Sequence, residues 1–261
     1  MRAKMAMLGV AALGLLGAAP APKPAPAAAP APLTGYLTGN PIDTYKILPP
    51  APVAGTTRYE ADRTIFLQTR KLQDSARWKM AQGDDNSSAI MKDLACAVGV
   101  EITAKNAPTL ASMIPRIGRD SGRLTNLPKD IYKRDRPFRI DDGPICIAKP
   151  DSYDYPSGHN TWGWTIGLIM AELAPDRATE ILQRARAFGE SRLVCGVHNL
   201  SAVEAGRMNG SIVVAALHGD EAFRKDLEVA RKEVAAARKA GPAPDPAVCA
   251  AEAEVIAKSP Y

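Results

Sequence analysis

Histidine is scarce in this chain. Its 261 residues include His159, His198 and His218 and no others, so the place of each is informative. Cysteine is limited to Cys96, Cys146, Cys195 and Cys249, and no pair has C-x-x-C spacing, which argues against a structural zinc site. A basic block is also missing. Lys and Arg total 33 against 28 Asp and Glu, a net charge of +5, and this mild, scattered excess argues against nucleic acid as a specific partner. Beyond the first residues no apolar run approaches the roughly 20 residues that a membrane-spanning helix needs, so no membrane span is expected. Alternation of apolar and polar residues at strand spacing is nearly absent, and the β-branched run Ile212-Val213-Val214 falls inside a helical stretch. No internal repeat is visible.

The N-terminus has the composition of an export signal. Arg2 and Lys4 precede an apolar stretch over 5–16 and the small residues Gly17-Ala18-Ala19, so 1–21 is expected to be a signal peptide and the protein periplasmic or secreted. Export places the even number of cysteines in an oxidising compartment, where disulfides form; four cysteines allow three pairings. Residues 20–32 are almost entirely Ala and Pro, a composition that favours extended polyproline geometry and offers little to bury. A linker and irregular arm over 22–46 is therefore expected, with a main domain over 47–240 and a helical extension over 241–261.

Residues 59–82 lack Gly and Pro, space Ile65, Leu72 and Trp78 at helical intervals, and predict one helix ending at Gly83. Helices are also expected over 87–98, 107–123 (interrupted by Pro115 and Gly118), 126–134, 157–173, 176–192, 201–217, 220–239 and 246–258. The stretch 157–173, with Trp162, Trp164, Ile166, Leu168 and Ile169, reads as a buried central helix. Together these predict an all-α fold: a helical bundle with one core and an irregular N-terminal arm.

Three short segments carry the chemistry. In the first, Lys129 and Arg136 stand about two helical turns apart, and Pro137 disfavours helical geometry at Arg136, leaving its guanidinium at a helix end. A guanidinium matches two phosphate oxygens and a lysine adds a point charge; on its own, a charge run of this kind is more often a solvated face. In the second, Tyr155-Pro156-Ser157-Gly158-His159 stands before the apolar helix. Ser157 is a natural N-cap, Gly158 allows a ligand close to the backbone, and the free N–H groups of the helix start favour an anion. His159 would lie in the first turn beside that anion. The third is Ser191-Arg192-Leu193-Val194-Cys195-Gly196-Val197-His198, which adds a second guanidinium and a second imidazole.

In this order and spacing, K-x6-RP, PSGH and SR-x5-H, the segments resemble the bacterial class A nonspecific acid phosphatases of the type 2 phosphatidic acid phosphatase and vanadium haloperoxidase superfamily. The similarity spans roughly residues 47–225. It implies an exported phosphomonoesterase that works through a phosphohistidine, with His198 as nucleophile and His159 as general acid and base. Lys129, Arg136, Ser157, Gly158 and Arg192 would bind the phosphate. It implies phosphate monoesters as substrates, inorganic phosphate or vanadate as ligands, and neither metal nor cofactor; the oligomeric state is left open, homo-oligomers included. Because the second and third motifs must meet at the site, the cysteines beside them, Cys146 and Cys195, are expected to pair, leaving Cys96 with Cys249. One departure stands out. The family has Asp four residues after the nucleophilic His, and this chain has Ala202. Glu204, six residues on, would face about 120° away on a straight helix. Ala202 therefore raises an alternative, a degenerate phosphatase-like protein that holds phosphate with little turnover, and it predicts that Ala202→Asp raises the rate.

Overall fold

A computed structural model of the chain describes residues 34–39 and 42–261. The expected signal peptide and the whole Ala/Pro tract over 20–32 lie outside the described residues. The described part is all helix and loop: α1 Thr44–Ile47, α2 Thr57–Thr69, α3 Ala76–Gly83, α4 Ile90–Asp93, α5 Ala95–Val98, α6 Pro108–Tyr132, α7 Gly158–Leu173, α8 Ala178–Val194, α9 Leu200–Leu217, α10 Glu221–Ala240 and α11 Pro246–Ile256, with no strand among these residues.

Helix α7 lies at the centre, because its sequence is apolar on most faces and so must be covered on most faces. Its neighbours are α8, α9, α6 and α10. Ile166, Ile169 and Met170 of α7 are buried against Met113 and Ile117 of α6, Phe188 of α8, Val213 of α9 and Phe223 of α10. Each such side chain contributes about 1.5–3 kcal/mol by leaving water. Helix α10 covers this core with one face. Asp220 caps it by accepting from the Phe223 N–H, while Arg238 and Lys239 in the last turn suit the negative end of its dipole. The N-terminal arm is pinned to the bundle as well: the N–H groups of Tyr36 and Leu37 donate to the Asp120 carboxylate at 2.7 and 3.2 Å, and both side chains are buried.

Three helix boundaries differ from expectation. The stretch 59–82 is two helices, not one. Asp74 takes a left-handed backbone with φ 61°, and Ser75 caps a new helix by accepting from the Trp78 N–H. The stretch 87–98 is broken into a 3-10 turn and the short α4 and α5, stopped by Gly99 at φ 85°. Conversely, 107–123 and 126–134 are one continuous helix, α6, despite Pro115 and Pro128 inside it. Pro128 has no N–H to donate to the Leu124 carbonyl one turn back. That carbonyl instead accepts from Thr44 Oγ1 at 2.7 Å and Asn209 Nδ2 at 3.2 Å. Side chains from α1 and α9 thus replace the hydrogen bond that the proline removes.

Two disulfides are present, Cys96–Cys249 and Cys146–Cys195, with Cα separations of 5.3 and 4.6 Å. The first ties α11 to α5. The second joins the loop before α7 to the end of α8, the pairing expected from the motifs.

Candidate active site

The three motif segments meet at one cavity of about 700 Å³. Lys129 comes from the last turn of α6. Lys133 closes that helix in a left-handed conformation, and Arg136 follows with extended backbone before Pro137. Gly158 and His159 open α7, Arg192 stands near the end of α8, and His198 lies in the turn before α9. All six line the cavity. Ser157 does not. It is fully buried, and its Oγ caps α7 by accepting from the Asn160 N–H at 3.3 Å.

The turn that delivers His198 is held by Arg70. Its guanidinium donates to the Leu193 and Val194 carbonyls at 2.6 and 2.7 Å and so satisfies the buried C-terminal end of α8. Gly196 then reverses the chain with φ 73°, and a Cβ there would lie 2.4 Å from the Arg70 guanidinium. Any side chain at this position would therefore be strained and would press on the arginine that holds the turn.

The cations are positioned by backbone oxygens. Lys129 Nζ donates to the Tyr153 carbonyl at 2.7 Å. Arg136 donates to the carbonyls of Ser152 and Val197 at 2.6 and 2.5 Å and to Ser152 Oγ at 2.9 Å. Arg192 is held by Asp85 at 2.6 Å, while its Nε is buried with no partner among the described residues. Burial and the neighbouring Arg136 push the Lys129 ammonium down to about 8.

The imidazoles have different surroundings. His159 is stacked on Phe188, with centroids 4.4 Å apart and planes within 8°. The backbone of Asp84 hydrogen-bonds the ring, and Nε2 is buried with no partner among the described residues. Burial first, then Arg192, hold its pKa well below the usual histidine range. His198 is clasped on both ring nitrogens. Nδ1 lies 2.9 Å from Asp154 Oδ1 and Nε2 lies 3.1 Å from the Arg136 guanidinium. Burial, Arg136 and Lys129 push His198 well below its ordinary value too.

Asp154, Asp84, Asp85 and Phe188 are site neighbours that no motif announced. Asp154 is 44 residues from His198, and a contact at that distance has no fixed spacing to read. Ala202 and Glu204 stand where the sequence left the question. Ala202 is fully buried against Tyr155 and Ala205, and Glu204 points outward to Arg58 at 3.0 Å. Among the described residues, no group of three or more His, Cys, Asp or Glu could hold a metal ion, and no helix is long and apolar enough to cross a membrane.

Two phosphate-shaped features coincide here: three cations around one concave surface, and a helix start aimed into it. Comparison with known proteins agrees. Residues 111–225 match the PAP2 superfamily. The chain is 42% identical over 217 residues to the acid phosphatase of Zymomonas mobilis, covering 80% of this chain and 82% of that protein. It is 33% identical over 206 residues to the non-specific acid phosphatase of Providencia stuartii, covering 76% and 83%. It is 32% identical over 195 residues to that of Salmonella typhimurium, covering 72% and 78%. The chain belongs to the PAP2 superfamily, among the bacterial class A nonspecific acid phosphatases. It is a phosphatase.

Proposed function

We propose that the protein is an exported phosphomonoesterase, periplasmic or secreted by way of residues 1–21, that works through a phosphohistidine. The observation that carries the reading is the convergence of His159, His198, Lys129, Arg136 and Arg192 on one cavity. Phosphoryl transfer needs positioning and charge stabilisation more than covalent machinery, and three cations supply that charge. They surround the non-bridging oxygens, and the Gly158 N–H at the start of α7 adds a donor.

His198 Nε2 attacks phosphorus while the bond from phosphorus to the ester oxygen breaks. His159 gives its Nε2 proton to that oxygen, and the alcohol leaves. Water then attacks the phosphohistidine. His159 takes a proton from the water, the N–P bond breaks, and phosphate and neutral His198 are released. Ile114, Pro115, Gly118 and Trp162 give the cavity an apolar part of its lining, which suits an organic leaving group such as an aryl alcohol.

Phosphate release from an aryl phosphate, compared with a His198→Ala control, tests this. Turnover is expected in the wild type and not in the variant, with an acid-labile phosphoryl group trapped on His198 by rapid quenching. Binding of phosphate without turnover would instead establish the alternative of a phosphate-holding protein.

A further inference from the structure

We propose that Asp154, from the loop just before the Pro156-Ser157-Gly158-His159 segment, is the positioning carboxylate for the nucleophile. It would do from that loop what the family pattern assigns to an Asp four residues after the histidine, where this chain has Ala202. The inference rests on the reading of His198 as nucleophile and adds a residue to it.

The hydrogen-bond inventory around Asp154 specifies an ionised carboxylate. Oδ1 accepts from the Asn199 N–H at 3.2 Å and lies 2.9 Å from His198 Nδ1; Oδ2 accepts from Asn199 Nδ2 at 2.8 Å, with the Arg134 guanidinium 3.4 Å away. Every neighbour of fixed polarity is a donor, so the only group that could take a proton from the carboxyl is His198 Nδ1 itself, and only in the tautomer that would set an Nε2–H against the Arg136 guanidinium. His198 Nδ1 must then carry the hydrogen. The other ring nitrogen gives the same answer, because Nε2 faces a guanidinium, which can only donate. Both contacts select the tautomer with its lone pair on Nε2, the atom assigned to attack phosphorus. A buried carboxylate on the far nitrogen also stabilises the positive ring that forms as the N–P bond is made, as in other nucleophile–histidine–carboxylate arrangements.

Asp154 is itself held in place. Its N–H donates to the Arg134 carbonyl at 2.9 Å. Arg134 pairs with Asp62 at 2.7 Å, and Asp62 accepts from the Ser201 N–H at 2.8 Å at the start of α9. A buried chain, Asp62–Arg134–Asp154–His198, thereby joins α2, the loop after α6 and the turn before α9. Ala202 acquires a physical reason. Its small side chain lies against Tyr155, the neighbour of Asp154, and its carbonyl accepts from the Ser157 N–H at 2.9 Å. A carboxylate at 202 would be a second negative group in a fully buried apolar cluster. The expectation that Ala202→Asp restores a missing function is therefore replaced: the function is already supplied from position 154.

Three measurements decide it. In protein labelled with 15N-histidine, His198 is expected as the Nδ1–H tautomer with a slowly exchanging, downfield Nδ1 proton, and Asp154→Asn should shift or abolish that signal. An Nε2–H tautomer in the wild type, or a signal indifferent to Asp154→Asn, overturns the proposal whether or not the protein turns over. With an aryl phosphate, Asp154→Asn should lower kcat by roughly 10²-fold or more. KM and competitive inhibition by inorganic phosphate should stay within about threefold, since the anion's own contacts are untouched. A kcat within twofold of wild type, or phosphate affinity that falls as far as kcat, counts against a positioning role. Ala202→Asp, with Asp154 intact, should not raise kcat, and a tenfold rise would mean that the carboxylate was missing after all. If wild-type protein releases no phosphate, the phosphatase reading fails by itself, and the tautomer still decides the role of Asp154.

Discussion

Lys129 is buried and shares its corner of the cavity with Arg136, and the two together set a pH limit. Its ammonium is pushed down to about 8. Below that pH it is charged and attracts phosphate; as pH rises through it the charge is lost and affinity should fall. His159 is neutral in the free protein near neutrality, since burial and Arg192 hold it well below its usual value. It can act as an acid if the substrate brings the proton, because a monoanion with neutral His159 is equivalent to a dianion with the imidazolium. A phosphate monoester loses its second proton near about pH 6. The productive combination thus fades as pH rises above that value. On the acid side, burial pushes the Asp154 carboxyl up to about 6, against the opposing pull of Arg134 and Asn199. Below that pH the Asp154–His198 pair gains a proton and the nucleophile is lost; the titration belongs to the pair. A bell-shaped kcat/KM centred on mildly acidic pH is expected, with phosphate inhibition weakening further above about 8. A flat profile between about pH 5 and about 9 would contradict these assignments.

At the scale of elements, the closest packing is between α7 and α8. A Cβ added at Gly163 would lie 2.3 Å from the Phe188 ring, and one at Gly167 would lie 2.3 Å from the Ala185 Cβ. Either alanine should cost about 1–3 kcal/mol through overpacking, a fall in Tm of roughly 3–10 °C. The two should differ in activity. Phe188 carries the stacked ring of His159, so Gly163→Ala should lower kcat along with Tm, whereas Gly167→Ala should lower Tm with kcat nearly unchanged. Thermal melts and steady-state kinetics on the two variants compare them directly, and equal kcat would show that Phe188 does not hold His159. The helices themselves were legible in the sequence because apolar periodicity reports which face is buried. Their ends were less so. Pro128 reads as a breaker until Thr44 and Asn209, remote in sequence, are seen to take the Leu124 carbonyl. Asp74-Ser75 reads as helix interior until the left-handed turn is seen. The cavity-lining residues were legible as spaced motifs, since each motif is local. Asp154 was not, because its link to His198 exists only in three dimensions. The sequence showed Ala202 as a loss without showing where the carboxylate had gone.

Over the whole molecule, the two disulfides divide the labour of holding the bundle and holding the site. Cys96–Cys249 spans 153 residues and ties α11 back to α5, where Glu252 of α11 also pairs with Arg184 of α8 at 3.1 Å. A cross-link closing so long a loop stabilises chiefly by restricting the unfolded chain, with a typical loss of about 2–5 kcal/mol on removal. Neither cysteine lines the candidate active-site cavity. Cys146–Cys195 spans 49 residues and clamps the turn that leads through Gly196 to His198, with the Cys146 N–H also donating to the Cys195 carbonyl at 3.2 Å. Replacing Cys96 and Cys249 with Ser should therefore lower Tm by roughly 5–20 °C and leave kcat at 25 °C within about twofold. Replacing Cys146 and Cys195 should lower Tm by a similar or smaller amount, because the loop is shorter and loop entropy grows only slowly with length. It should also reduce kcat several-fold, because the His198 turn gains freedom that must be lost again in the transition state. Melting curves and kcat on both double variants separate the roles. A Cys146/Cys195 variant with wild-type kcat would show that Arg70, with its grip on the Leu193 and Val194 carbonyls, positions the turn without help from the disulfide.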